Sequence, residues 1–456
     1  MWRRAASIRS PFSRSLASKG RRIGRRQQCP YDCGMHAPNS RRPDTAPDPS
    51  ATPGFSDAEL EALRRETPLI AAGKLHLNHA GASPPPRPVL DAVSGYLERE
   101  SVGGGYETAA AESDRIAAVY DDLARLVGGE SDEIAWAGNA TEAFATALSS
   151  FDFAEGDVIV TSRSDYVSNH LMFLVLERRR GVRLEVVRDA PEGGIDAAAL
   201  EETLARLERS RQAKLVSLSW MPTNSGLLQP AAEVGALCRA YGVDYLLDAC
   251  QVVGQRCVDV AALGCDLLAA TGRKYLRGPR GTGFLWVSRR LLDSGRHPMA
   301  LDLAGAEWTA PKGLELRSDA RRFESWERSY ALFLGLGAAA RYALEVGLSR
   351  VAERSAMLAA ALRQRLGAIP GVEPLDRGKS LGAIVSVAIG GGEPGSARRL
   401  MERLRRRSIH TSVTERGSAL YEFDRLGVQE ALRLSPHYLN TEDEIEAAAE
   451  AVEELL

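Results

Sequence analysis

Residues 243–287, VDYLLDACQVVGQRCVDVAALGCDLLAATGRKYLRGPRGTGFLWV, restrict the fold more than any other part of this 456-residue chain. The apolar run 243–247 reads as a buried strand and stops at Asp248. A second run, 266–270, stops at Thr271-Gly272-Arg273-Lys274. A Gly/Pro turn at 278–283 then leads into a third apolar strand, 284–287. A carboxylate and a lysine therefore stand just past the C-terminal ends of two buried strands, where open α/β sheets place their ligands. The strand–helix alternation across 134–287, under the right-handed crossover rule, makes a layered α/β sheet.

Taken singly, Asp248 and Lys274 are equally explained as solvated residues beside turns. The ordered set is more specific. Asp248-Ala249-Cys250-Gln251, then Thr271-Gly272-Arg273-Lys274, then GPRGTGF resembles the class V aminotransferase family of pyridoxal-phosphate-dependent enzymes. That family holds the cysteine desulfurases, selenocysteine lyases, kynureninases and isopenicillin N epimerases. The resemblance runs from about Leu75 to the C-terminus. It implies a type I pyridoxal-phosphate fold: a large domain with a mostly parallel seven-stranded sheet, plus a small C-terminal α/β domain. The residue types suit that cofactor. A lysine amine forms a Schiff base with its aldehyde, and a carboxylate on the ring nitrogen keeps the pyridine protonated, so that it accepts electrons from Cα.

Composition narrows the alternatives. Hydrophobic residues at 44% and charged residues at 26% describe an ordinary globular chain. A formal net charge of -2 gives no case for nucleic acid or an acidic membrane as partner. No apolar run approaches the roughly 20 residues that span a bilayer. Of the 6 cysteines, Cys238, Cys250, Cys257 and Cys265 fall in apolar segments, which fits buried thiols in a reducing, cytoplasmic setting better than a disulfide framework. Residues 1–54 form a basic, Pro-rich extension. Its Arg/Ser-rich start reads as a transit peptide, a disordered arm, or sequence ahead of the true start at Met35, and Met35 favours the last. Cys29 and Cys33 have no second pair nearby, so no metal site is expected. Residues 55–330 are expected as the large domain, 331–369 as a helical link with one long helix over 330–365, and 370–456 as the small domain.

The resemblance assigns roles in chain order. The loop at Asn78, His79 and Ala80 matches the one lining the substrate entrance; His79 reads either as a substrate contact or as an ordinary loop histidine. The cluster Gly103-Gly104-Gly105-Tyr106 reads as a flexible loop between helices, and also looks like a cofactor-proximal segment of the hercynylcysteine sulfoxide lyases. Strand 134–137, followed by Asn139-Ala140-Thr141-Glu142 and a helix over 143–149, resembles the phosphate-binding turn. The backbone of Ala140 and Thr141 and the Thr141 hydroxyl are its expected donors, although Thr141 alone reads equally as a helix cap. Tyr166 stands where cysteine desulfurases stack a histidine on the pyridine ring; tyrosine stacks as well but lacks histidine's acid/base range. Thr223 and Asn224 are alternative contacts to cofactor or substrate. Gln251 matches the partner of the phenolic oxygen, Thr271 a phosphate contact, Asp248 the ring-nitrogen carboxylate and Lys274 the Schiff-base lysine. Arg273 replaces the desulfurases' histidine. Arg433, opening Arg433-Leu434-Ser435-Pro436-His437-Tyr438, matches the arginine that pairs with the substrate α-carboxylate. Residues 322–327, around Trp326, resemble the segment that reaches the neighbouring subunit's phosphate site, which implies a homodimer with shared active sites.

One absence separates this chain from the desulfurases. They carry a nucleophilic cysteine on a C-terminal loop; the matching segment here is 410–417, HTSVTERG, and no cysteine follows Cys265. Without a persulfide relay, the expected activity is a lyase cleaving a Cβ–S or similar Cβ bond of a cysteine-derived amino acid by β-elimination. Lys274 would be the base at Cα. An aminotransferase or epimerase is the alternative, and a non-catalytic scaffold the remote one.

Overall fold

The computed structural model describes residues 54–210 and 212–456. The basic segment with Cys29, Cys33 and Met35 lies outside the described residues.

Seven strands form the main sheet: β1 Ile134–Ala137, β2 Val158–Ser162, β3 Arg183–Val187, β4 Ala213–Ser219, β5 Asp244–Asp248, β6 Leu267–Thr271 and β7 Gly283–Val287. Their spatial order is β1-β7-β6-β5-β4-β2-β3. Neighbours from β3 across to β6 run parallel, whereas β7 is antiparallel to both β6 and β1. Every residue of β1, β2, β6 and β7 is buried. Covered on both faces, such strands show unbroken apolar runs instead of alternation, which is why the sequence exposed them. The expected mostly parallel, seven-stranded sheet is present.

After β7 the chain leaves the sheet through an exposed hairpin, β8 Ala306–Ala310 and β9 Gly313–Leu316. The single long helix expected over 330–365 is two, Tyr330–Val346 and Leu348–Gly367, bent by 80°. Gly347 sits between them at φ 93°, a conformation that side-chain-bearing residues avoid. The first helix packs against Arg87–Gly103 and Ser113–Val127 of the large domain, the second against the C-terminal helix Glu442–Leu455. Apolar spacing continues through the break, so periodicity alone concealed it. No single helix among the described residues is long and apolar enough to cross a membrane.

The small domain is an antiparallel sheet in the order β10-β11-β13-β12, from β10 Val372–Pro374, β11 Val385–Ile389, β12 Ser412–Glu415 and β13 Glu430–Leu434. Leu75–His76 pairs in parallel with Ile409–His410, and Asn78 bridges to Ser435. The N-terminal segment is thereby tied to the small domain across the face of the large one.

That joint gathers four histidines. His76 Nδ1 lies 3.5 Å from His410 Nδ1, and the His79 ring is 4.7 Å from that of His76 and 5.1 Å from that of His437. Burial pushes His76 down to about 4 and holds His79 and His437 well below the ordinary histidine range. Neighbouring His76 and His437, and the Arg277 guanidinium, add to the depression at His79. The unfolded chain takes up protons below about 6.5, whereas the folded cluster resists them, so stability falls as the pH drops through that window. His76 alone accounts for on the order of 3 kcal/mol, fully lost near pH 4. Urea midpoints measured between pH 8 and pH 4 should fall steeply below about 6.5, and His76→Phe should flatten that slope. An unchanged slope in the variant would remove His76 as its cause.

Candidate active site

The ends of β5 and β6 lie in register, with Asp248 beside Ala269. Asp248 ends β5, and its carboxylate accepts from the Cys250 N–H at 2.9 Å and from Asn169 Nδ2 at 3.4 Å. Lys274 follows β6 across the Gly272-Arg273 turn; it is only 8% exposed, and its Nζ lies 5.9 Å from the centroid of the Tyr166 ring. Burial pushes the Lys274 amine down from the usual lysine range; Cys250 and Asp248 oppose this, while Arg273 and Arg433 reinforce it. A lowered amine is neutral, and so basic, for more of the time near pH 7.

Arg433 on β13 closes the other side. Its Nε donates to Ser412 Oγ at 3.0 Å, one terminal nitrogen to the Thr223 carbonyl and hydroxyl at 2.8 and 2.9 Å, and the other to Asn78 Oδ1 at 3.4 Å. Burial brings the guanidinium down to about 10, so it stays charged at neutral pH, with only neutral groups among these partners. Gln251 joins the two halves: its Nε2 donates to the Ala80 carbonyl at 3.2 Å and the Thr223 hydroxyl at 3.3 Å. The Gln251 Oε1 is buried with no partner.

Sequence reading missed the group that fixes Tyr166. Asp165, buried, accepts from Ser217 and Thr161 on one oxygen at 2.9 and 2.7 Å. Its other oxygen accepts from Ser219, Asn169 and the Tyr166 N–H at 2.6, 2.9 and 2.7 Å. Asn169 links this hub to Asp248. The available signal was Ser217 and Ser219, spaced by two in an apolar strand and so facing one side.

Helix Ala140–Ser149 starts three residues earlier than expected, with Asn139 as its cap, bonded to the Glu142 N–H at 2.9 Å. Thr141 is therefore not the cap. The first N–H groups, on Ala140 and Thr141, have no partner within the helix. A Cβ on Gly283 would meet the Asn139 backbone at 2.6 Å and Ala140 N at 2.9 Å, so only glycine in β7 lets this turn sit against the sheet.

This layout coincides with a known pattern. A family model described as "Aminotransferase class-V" matches residues 75–448. The chain belongs to the aminotransferase class-V family. It is a pyridoxal-phosphate-dependent enzyme. A probable cysteine desulfurase of Methanothermobacter thermautotrophicus is 28% identical over 402 residues, 87% of this chain and 98% of its own. The apo structure of a cysteine desulfurase from Thermococcus onnurineus NA1 matches with a TM-score of 0.78 at 25% identity, covering 87% of this chain and 97% of that one. The cystine C-S lyase C-DES, solved with its reaction product cysteine persulfide, shares the fold at a TM-score of 0.73 and 22% identity, over 84% of this chain and 98% of its own.

The class-V pocket suits its cofactor on three counts: a buried, depressed lysine amine, a buried amide oxygen without a partner, and a helix start seated against a glycine. Other expectations need correction. His79 is fully enclosed, with its Nδ1 2.8 Å from Ser83 Oγ and its ring against Tyr275 and His437. Asn78 and Ala80, not His79, supply the groups that meet Arg433 and Gln251. Thr223 and Asn224 separate: Thr223 holds Arg433 and Gln251, while Asn224 lines a neighbouring cavity. Thr271 donates to the Thr282 carbonyl at 3.2 Å. The glycine cluster is not a loop but a one-residue junction at Gly104 between helices Arg87–Gly103 and Gly105–Ala111, and Tyr106 is 81% exposed.

Proposed function

We propose that this enzyme is a lyase that cleaves the Cβ–S bond of a cysteine-derived amino acid by β-elimination, with no persulfide on the protein. The supporting observation is the segment where desulfurases carry their nucleophile. Here its residues 412–415 form β12, paired along its length with β13, and the Ser412 hydroxyl oxygen accepts from Arg433. No cysteine follows Cys265.

Pyridoxal phosphate, when bound, supplies the electron sink that accepts negative charge from the substrate Cα. Lys274 would hold the cofactor and would be the base that moves the proton at Cα. Asp248 would hold the ring nitrogen's proton, Tyr166 would cover the ring, and Gln251 would bond the phenolic oxygen. The N–H groups of Ala140 and Thr141, together with the Thr141 hydroxyl, would hold the phosphate. Arg433, with Asn78 and Thr223 around it, would orient the α-carboxylate. Orienting the substrate so that the Cα–H faces Lys274 while the sulfur can leave is what permits elimination.

A homodimer is part of the same reading. Glu324 anchors residues 322–327 beside β1, accepting from the Trp136 N–H at 2.8 Å, and Trp326 is 42% exposed. Met299, Leu303, Trp308 and Leu314 nearby are 59–77% exposed or, for Trp308, 80%. Such a surface suits a second copy of the chain. Cys238, Cys250 and Cys265 are buried thiols, in keeping with a cytoplasmic setting.

The test follows the products. Incubated with S-alkyl cysteines, the holoenzyme should release pyruvate and the thiol in equal amounts, and its visible spectrum should return to the starting form. Amino transfer to a keto acid without pyruvate would replace the lyase by an aminotransferase.

A further inference from the structure

Beside the Arg433 pocket, the two domains enclose a second cavity of about 160 Å³. The large domain gives it Arg163 and Ser164 after β2, Asp189 after β3 and Asn224 after β4; the small domain gives Arg377, Glu422 and Arg425. Ser164 lies two residues before Tyr166, and Asn224 directly follows Thr223, whose hydroxyl and carbonyl hold Arg433. The cavity therefore begins one residue beyond the groups expected to seat the α-carboxylate.

Its charge is lopsided. Three guanidinium groups border it against two carboxylates. Glu422 is already paired with Arg425, and Arg377 donates to the Pro191 carbonyl at 2.7 Å. Asp189 Oδ1 is buried with no partner; burial and Glu422 push that carboxyl up, while Arg163, Arg425 and Arg377 pull it down. Arg163 acts on Asp189 only through space. A volume of about 160 Å³ is far beyond the roughly 10–15 Å³ that one water requires, and it has room for a carboxylate with its methylenes.

We propose that this cavity receives the distal, anionic end of the substrate: a carboxylate or similar oxyanion carried on the group attached to sulfur. Guanidinium forks match such oxyanions, and a cleft with net positive lining concentrates them. The identity of the bond that breaks rests on the lyase reading; the anion's seat does not.

The matched probes are S-carboxyethyl-L-cysteine and the isosteric, neutral S-carbamoylethyl-L-cysteine. The holoenzyme should favour the carboxylate in kcat/KM by about tenfold or more, the scale of one charged hydrogen bond. Arg163→Met and Arg377→Met should each erase most of that preference and leave the amide within about twofold. The same ligands are titrated calorimetrically into Lys274→Ala protein loaded with pyridoxal phosphate, which reads binding without turnover. A carboxylate preference there, abolished by the arginine changes, upholds the cavity even if neither ligand yields pyruvate; the lyase reading would then be what failed. Equal affinity for the two ligands, or a loss that strikes both alike, overturns the proposal. Inorganic sulfate should compete with the carboxylate and spare the amide; if it binds alongside the carboxylate, the cavity serves a free anion and the proposal falls.

Discussion

Lys274→Ala should abolish turnover, with kcat falling by at least about 10²- to 10⁴-fold, the range carried by one positioned proton-transfer group. Among the described residues, the other cations that act on Lys274, Arg273 and Arg433, are guanidinium groups that keep their protons at neutral pH. The loss should fall on kcat and leave substrate affinity largely intact, because Arg433 and its partners Ser412, Thr223 and Asn78 are untouched. Fold stability should change little, since the substitution removes a buried amine whose charged form is disfavoured by desolvation. Two readings check this. Single-turnover rates should collapse while calorimetric substrate binding persists, and small primary amines added to the variant should restore part of the rate. A variant with near-normal kcat, or one that amines cannot rescue and that no longer binds substrate, would remove Lys274 from proton transfer.

The sequence carried the frame of this site for a physical reason. Strands covered on both faces need continuous apolar runs, so β5 and β6 stood out, and with them Asp248 and Lys274 at their ends. What it hid is three-dimensional. Asp165 gains its meaning only when β2, β4 and the start of helix Val167–Arg180 converge on it; Ser217 and Ser219 are 52 and 54 positions away along the chain. The burial of His79 follows from the turn after the segment that pairs with the small domain, and the partner strand, Ile409–His410, is over 300 residues distant. The continuous stretch 409–415 conceals a break between two sheets. The structure splits it, giving Ile409–His410 to the N-terminal segment and Ser412–Glu415 to the small sheet, because Thr411 falls between two sheets. Separation of Thr223 from Asn224 likewise depends on which of the two meets an arginine from the other domain.

Arg433→Lys should lower kcat/KM by about 30-fold or more, and Arg433→Ala by up to several thousand-fold, the equivalent of about 2–5 kcal/mol for losing one partner of a buried charge pair. Lysine keeps the charge but not the fork. Arg433 is held in plane by four contacts, to Ser412, the Thr223 carbonyl and hydroxyl, and Asn78, and one ammonium cannot reproduce that set or offer two parallel N–H groups to a carboxylate. Both substitutions also leave the Thr223 carbonyl without its donor, part of the expected cost. The defect should appear mostly in KM and should strike S-carboxyethyl-L-cysteine and S-carbamoylethyl-L-cysteine alike, since both carry the same α-carboxylate. That sets it apart from Arg163→Met, whose effect should fall on the carboxylate ligand alone. Steady-state kinetics with the pair, beside thermal melts to exclude unfolding, decide the matter. If Arg433→Lys retains its kcat/KM, the α-carboxylate is bound elsewhere, and the orientation of Cα toward Lys274 has to be carried by Asn78 and Thr223 without it.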